Sequence, residues 1–230
     1  MSDIFSLNKT NKYNSDTTLD IKCSDNSKTP VIDSTDFIEP PINSPFQNIL
    51  AKCDKFDKKL SNYIHEMEVN IWVEIIIYIF ARIFNSDLII AFYLLLFLYQ
   101  SIFNQNYYFV IKPLIHVFVI FILTGILKYS LKRPRPEINE NVKRKYNFRN
   151  KETNFSMPSG DSMQAANFAI ICLFYLFGNY IGFIGFIIIP LVMFARIFYF
   201  CHYLFDTIVG AIVGLTVSYC LTLPLEKLQF

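Results

Sequence analysis

Residues 108–128 read YFVIKPLIHVFVIFILTGILK. Only Lys112, His116 and the terminal Lys128 are basic in this stretch, and it has no acidic residue. Its length is that of a helix crossing the hydrocarbon core of a bilayer, about 20 residues. The rest of the chain agrees with that reading. Of 230 residues, 53% are hydrophobic, 17% aromatic and 17% charged, where a soluble domain carries about 25% charged residues. The 24 Phe and 14 Tyr against 7 Gly exclude a disordered chain and a disulfide scaffold. A net charge of +2 gives no case for a nucleic-acid partner. The five cysteines (Cys23, Cys53, Cys172, Cys201, Cys220) lack metal-type spacing. They read as free thiols, with Cys172, Cys201 and Cys220 in lipid-embedded helices.

Working outward, five further apolar spans are predicted, at 68–84, 88–104, 162–179, 180–200 and 203–224. Asn85-Ser86-Asp87, Asn104-Gln105-Asn106 and Gly178-Asn179 are polar turns between spans. Residues 1–44 carry seven acids and four lysines with no apolar periodicity, which predicts a disordered polar tail. Ser44-Pro45 then suits a helix start. Phe46, Ile49, Leu50, Cys53, Phe56, Leu60, Tyr63 and Ile64 recur at helical spacing, with Lys52, Lys55, Lys58 and Lys59 filling much of the other face. That pattern predicts an amphipathic helix over 45–66 lying at a membrane surface. The fold class is therefore all-α: an integral membrane protein, a six-helix transmembrane bundle over 67–226 preceded by an interfacial helix.

Ionisable residues inside spans are costly, so each needs a reason. Lys112 can snorkel from a span end. Glu74 and Arg82 share a helix and read as structural, as does a lone His116. The others fall into a pattern. Lys128 ends span three, Ser159-Gly160-Asp161 begins span four, Arg196 is near the end of span five, and His202 and Asp206 begin span six. Alternating spans put all of these at one side of the membrane. His202 and Asp206 are four apart, so they share a helix face. Asp206 can then accept a hydrogen bond from one ring nitrogen and leave the other as a nucleophile. Gly210, Gly214 and Ser218 continue the same row, where another helix can pack closely. Pro158-Ser159-Gly160 before a helix offers backbone N–H groups to an anion. With Lys128, Arg135 and Arg196 alongside, phosphate is the natural ligand.

These residues resemble the three signature motifs of the type-2 phosphatidic acid phosphatase family, which is related to vanadium haloperoxidases. The first, Lys, six residues, Arg-Pro, is Lys128, YSLKRP, Arg135-Pro136. The second, Pro-Ser-Gly-His, reads Pro158-Ser159-Gly160-Asp161. The third, Ser-Arg, five residues, His, three residues, Asp, reads Ala195-Arg196, IFYFC, His202, YLF, Asp206. The resemblance covers 128–206 by motif and implies a metal-independent, cofactor-free hydrolase of lipid phosphates. Lys128, Arg135, Arg196, Ser159 and Gly160 would hold the phosphate. His202 would form a phosphohistidine, oriented by Asp206, and water would hydrolyse it.

Asp161 stands where the family has the His that protonates the leaving group. The reference pKa of Asp is about 3.9 against about 6.5 for His. Nearby cations lower it further and burial raises it. An ionised Asp161 is a poor acid, which favours a diphosphate ester, whose phosphate leaving group needs little protonation. Other readings are a lipid phosphotransferase and a pseudophosphatase that serves as a lipid-binding scaffold. An ion channel or transporter would place its charges at the midplane. The family resemblance implies a lumenal or extracellular site in an endomembrane or the plasma membrane. Yet 128–161 carries nine Lys/Arg against four acids, which the positive-inside rule assigns to the cytosol. The lysines of 52–59 are expected on the opposite side.

Overall fold

The structure is a computed structural model and describes residues 45–103, 108–149, 152–176 and 182–227. The expected tail, Ser44, Cys23, Lys151 and the turns at 104–106 and 178–179 lie outside the described residues. Among the described residues every regular element is helical. In chain order they are α1 (Pro45–His65), α2 (Ile71–Ile83), α3 (Ser86–Phe103), α4 (Tyr108–Leu131), α5 (Gly160–Ile171), α6 (Ile184–Phe198) and α7 (Leu204–Lys227). Helix α5 runs on as a π-helical turn over Cys172–Leu176.

Among the described residues, two helices are long and apolar enough to cross a membrane, Val110–Leu131 and Leu204–Leu225. Helices α2 and α3 reach that length only together, and the pair is bent by 69° at Asn85-Ser86. The polar turn expected there is thus a bend, and Phe84 packs in one cluster with Ile89, Tyr93 and Val117.

Helix α5 is the centre of the bundle. Nearly all of it is buried, because Ala165, Ala166 and Ala169 let neighbours approach from several sides. The small-residue row of α7 lies against it. A Cβ built at Gly214 would meet the Met163 carbonyl oxygen at 2.5 Å. Ser218 donates to Asn167 Oδ1 at 2.8 Å. His116 Nδ1 lies 3.3 Å from the same Asn167 Oδ1, which gives this histidine a structural setting. Glu74 is also structural: its Oε1 accepts the backbone N–H of Lys145 at 2.8 Å.

Helix α1 meets protein through a narrow polar row. Asp57, Ser61 and His65, at i, i+4 and i+8, are buried. Ile49, Leu50, Phe56, Leu60 and Tyr63 are exposed, as are the four lysines. Ser61 Oγ accepts the N–H of Leu204 at 2.8 Å, and Asp57 Oδ1 accepts that of Phe205 at 2.9 Å. These are first-turn donors of α7, which have no partner inside their own helix. Arg144 closes the other end of α1, donating to the carbonyls of His65 and Met67 at 2.7 Å each.

This docking corrects the expected placement of Lys52, Lys55, Lys58 and Lys59. Helix α1 sits at the end of the bundle where α7 starts, beside the 132–159 loop, and not at the opposite end. The reason is the bend. The stretches 68–84 and 88–104, expected as separate crossings, form two helices that follow one another across a 69° bend.

Candidate active site

Three chain reversals build the site. Helix α4 ends where Lys132 takes a left-handed φ of 50°, its N–H bonded to the Lys128 carbonyl. Helix α6 ends with Phe200 at φ 58°. There Phe200 N–H reaches the Ile197 carbonyl and Cys201 N–H that of Arg196, a Schellman turn made without glycine. It throws Cys201 and His202 back over Arg196. Cys201 therefore lies in this turn, not in a lipid-embedded helix, and is buried. Helix α5 begins at Ser159, whose Oγ accepts from Ser162 N–H and whose own N–H donates to the Asp206 carbonyl at 2.9 Å.

The residues expected from the motifs come together. A cavity of about 450 Å³ is lined by Lys128, Gly160, Asp161, Arg196 and His202. Its walls include Phe84, Phe121 and Gly125, and Arg82 of α2. Arg82, expected to be structural, thus lines the cavity. Arg135 does not line this cavity but stands behind His202, its Nη1 3.4 Å from His202 Nε2 and 2.6 Å from the Cys201 carbonyl, and lines a neighbouring cavity with Lys58 and His65. Ser159 is fully buried behind Gly160 and hydrogen-bonded to Ser162 Oγ at 3.0 Å.

Glu152 and Asn154, which the motifs do not contain, hold the cations. Glu152 Oε2 pairs with Arg135 Nη2 at 2.9 Å, and its Oε1 with Arg196 Nη2. Asn154 Oδ1 accepts from Lys128 Nζ at 3.1 Å and from Arg135. Burial alone would raise the Glu152 carboxyl, but Arg196 and Arg135 overcome it and hold it at about 2. Asp161 Oδ2 lies 3.0 Å from Arg196 Nη1. His202 is held well below its ordinary value, first by burial and then by Arg135, Arg196 and Lys128. The imidazole is thus neutral, the form that can attack an electrophile.

The His202–Asp206 pair differs from expectation. His202 precedes α7 instead of sharing its face, and its Nδ1 stands 3.8 Å from Asp206 Oδ2. That is beyond hydrogen-bond reach, and Nδ1 has no other hydrogen-bond partner among the described residues. Asp206 instead receives Arg133 Nη1 on Oδ1 at 2.7 Å and Tyr203 N–H on Oδ2 at 2.9 Å. Arg133 occupies one of the unspecified places of the first motif, so spacing alone could not single it out. Its clue was the doubled Arg-Pro in Arg133-Pro134-Arg135-Pro136.

Residues 109–228 match the PAP2 superfamily, and the chain belongs to that superfamily. No curated protein matches the chain. Two solved structures share its fold. The first transmembrane PAP2 type phosphatidylglycerolphosphate phosphatase from Bacillus subtilis aligns with a TM-score of 0.65 and 19% identity, over 77% of this chain and 88% of that one. Aquifex aeolicus LpxE aligns with a TM-score of 0.55 and 22% identity, over 71% and 93%. At these identities the likeness is one of fold.

Proposed function

We propose that the chain is a membrane-embedded phosphatase of lipid phosphates or diphosphates, working without a metal ion through a phosphohistidine at His202. One observation carries this reading: Arg135 and Arg196 already clamp a carboxylate, that of Glu152, beside the neutral His202. Two guanidinium forks that hold two carboxylate oxygens suit two phosphoryl oxygens equally. Superfamily membership and the lipid phosphatase among the solved structures of this fold support it.

In this reading the phosphate displaces Glu152 and is held by Lys128, Arg135, Arg196 and the Gly160 end of α5. Nε2 is the attacking atom, since it faces Arg135 while Nδ1 faces Asp206. Its lone pair forms the N–P bond as the P–O bond to the lipid breaks and the leaving oxygen takes the electron pair. Water then attacks phosphorus, the N–P bond breaks, and inorganic phosphate and His202 are released. The cations stabilise the equatorial oxygens in both steps. In this reading Asp161, whose Oδ2 is ion-paired with Arg196 Nη1 at 3.0 Å, stays charged and supplies no proton. A leaving group that departs as a phosphate monoester fits that site best, so isoprenoid or glycerolipid diphosphates are preferred over phosphatidic acid.

The same ion pair favours the second reading, a scaffold that binds lipid phosphate without turning it over. Phosphate release from a panel of lipid mono- and diphosphates, with His202→Ala as control, separates the two. Release that depends on His202 supports the enzyme. Binding with no release from any lipid supports the scaffold. A lipid phosphotransferase would pass the phosphoryl group to an added alcohol.

For topology we read the α2–α3 pair, α4, α5 with its π turn, α6 and α7 as five crossings, with α1 at the interface on the site side. The family resemblance places that side in the lumen or outside the cell. The lysines of α1 now add to the positive charge of the same side, against the positive-inside rule. Protease protection of a tag within 137–152 decides the side.

A further inference from the structure

We propose that Arg133, held by Asp54 and Asp57 of α1, is a positioning residue for Asp206, which makes the N-terminal helix a working part of the His202–Asp206 pair. This rests on the phosphatase reading for its kinetic consequence only; the geometry stands apart from it. Arg133 Nη2 contacts Asp57 Oδ2 at 2.6 Å and Asp54 Oδ1 at 2.7 Å, while Nη1 contacts Asp206 Oδ1 at 2.7 Å. Asp57 and Asp206 are fully buried. The Tyr203 ring lies against the guanidinium, 4.6 Å from its centroid. Only a planar fork reaches carboxylates on two sides at once; an ammonium at the same place satisfies one side.

The consequence falls on Asp206. With Oδ1 given to Arg133 and Oδ2 to the Tyr203 N–H, the carboxylate has a fixed plane and presents Oδ2 toward His202 Nδ1. Arg133 also draws off part of its charge. On its other side the imidazole has Arg135 Nη1 at 3.4 Å from Nε2 and shares the cavity with Lys128, Glu152, Asp161 and Arg196. The balance between Asp206 and those groups sets how readily His202 takes a proton, and Arg133 adjusts it. Asp54 and Asp57 set the strength of Arg133 in turn, with Lys58 on Asp54 at 2.7 Å. The same Asp57 accepts the Phe205 N–H, so α1 fixes both the guanidinium and the start of the helix that bears Asp206. Neither α1 aspartate lies within the matched segment 109–228.

The test is an NMR titration of His202 in the full-length protein labelled with 15N-histidine. The chain has three histidines, and His202→Ala assigns the signal. Arg133→Met leaves Asp206 uncompensated, so the His202 pKa is expected to rise by about one unit or more, with Nδ1–H gaining a hydrogen bond. Asp57→Asn removes an anion from Arg133, and the His202 pKa is expected to fall. Arg133→Lys gives an intermediate value. In turnover of a lipid diphosphate, Arg133→Met lowers kcat about tenfold or more with KM little changed, and the acid limb of the pH profile moves with the NMR value. A loss of folded protein alone cannot move the two variants in opposite directions. If Arg133→Met does not fold, Asp57→Asn and Arg133→Lys carry the test. An unmoved His202 titration in the folded variants overturns the proposal. Wild-type protein with no turnover, but with the shifts present, overturns the phosphatase reading and not this one.

Discussion

A Cβ built at Gly210 would stand 2.6 Å from the carbonyl oxygen of Ser159, a backbone atom with no freedom to withdraw. The start of α5 is therefore seated directly on α7, and Ser159 N–H bonds the Asp206 carbonyl across the same contact. Gly210→Ala is expected to destabilise the protein by about 1–3 kcal/mol through overpacking and to lower turnover, because it shifts the phosphate-binding turn. Thermal unfolding in detergent checks the first effect. Gly125, inside α4 with nothing within 4 Å of its built Cβ, is the control, and Gly125→Ala does not lower Tm.

On the proposed mechanism, Glu152, ion-paired with Arg135 and Arg196, competes with the substrate phosphate for them. Glu152→Gln keeps the shape and removes the charge. KM for a lipid phosphate is expected to fall several-fold, and inhibition by inorganic phosphate to strengthen. The pH dependence has a definite sign. The Glu152 carboxyl is depressed from 4.5 to about 2, so its contribution to stability is complete above pH 4.5 and lost as pH falls toward 2. Wild-type protein should lose Tm across that window more steeply than Glu152→Gln.

Asp161→His restores a side chain able to protonate a leaving alcohol. General acid catalysis contributes about 10²–10⁴-fold, so turnover of phosphatidic acid at neutral pH should rise relative to a lipid diphosphate. The ratio of phosphate release from the two substrates is the readout. In wild-type protein, faster release from phosphatidic acid than from the diphosphate at pH 7 would remove the reason given for the diphosphate preference.

His202 titrates well below 6.5. Its neutral, attacking form is already complete at that pH, so kcat/KM should stay level down through pH 6.5 and decline only as pH falls through the lowered value. Stability follows the same sign. A buried neutral imidazole stabilises the fold fully above pH 6.5 and loses that contribution on acidification. A pH–rate profile with its midpoint at or above 6.5 would contradict the burial-driven shift.

The site was legible where chemistry is written in spacing. Lys128, Gly160, Asp161, Arg196 and His202 share one cavity because helix ends return them to it, and the motif intervals encode those returns. What spacing could not show were partners far apart in sequence. Asp57 and Arg133 are 76 residues apart. On a helix read alone, Asp57 belongs to a solvated charged face; only docking reveals it as buried. Glu152 sits in a loop without periodicity, so nothing local marked it as the counter-ion of two arginines. The bend at Asn85 was hidden for a related reason. A polar turn between apolar stretches reads the same whether the chain reverses there or continues at an angle.

Helix α1 turns Asp57, Ser61 and His65 inward and Ile49, Leu50, Phe56 and Tyr63 outward. On the reading developed above, the outward row is held by lipid while the inward row holds Arg133. The solubilising agent is then a reactant in all but name: one that strips lipid from the outward row loosens the grip on Asp206 without touching the cavity. Activity measured in micelles and in bilayers should part company in kcat, and Asp57→Asn should bring the two together.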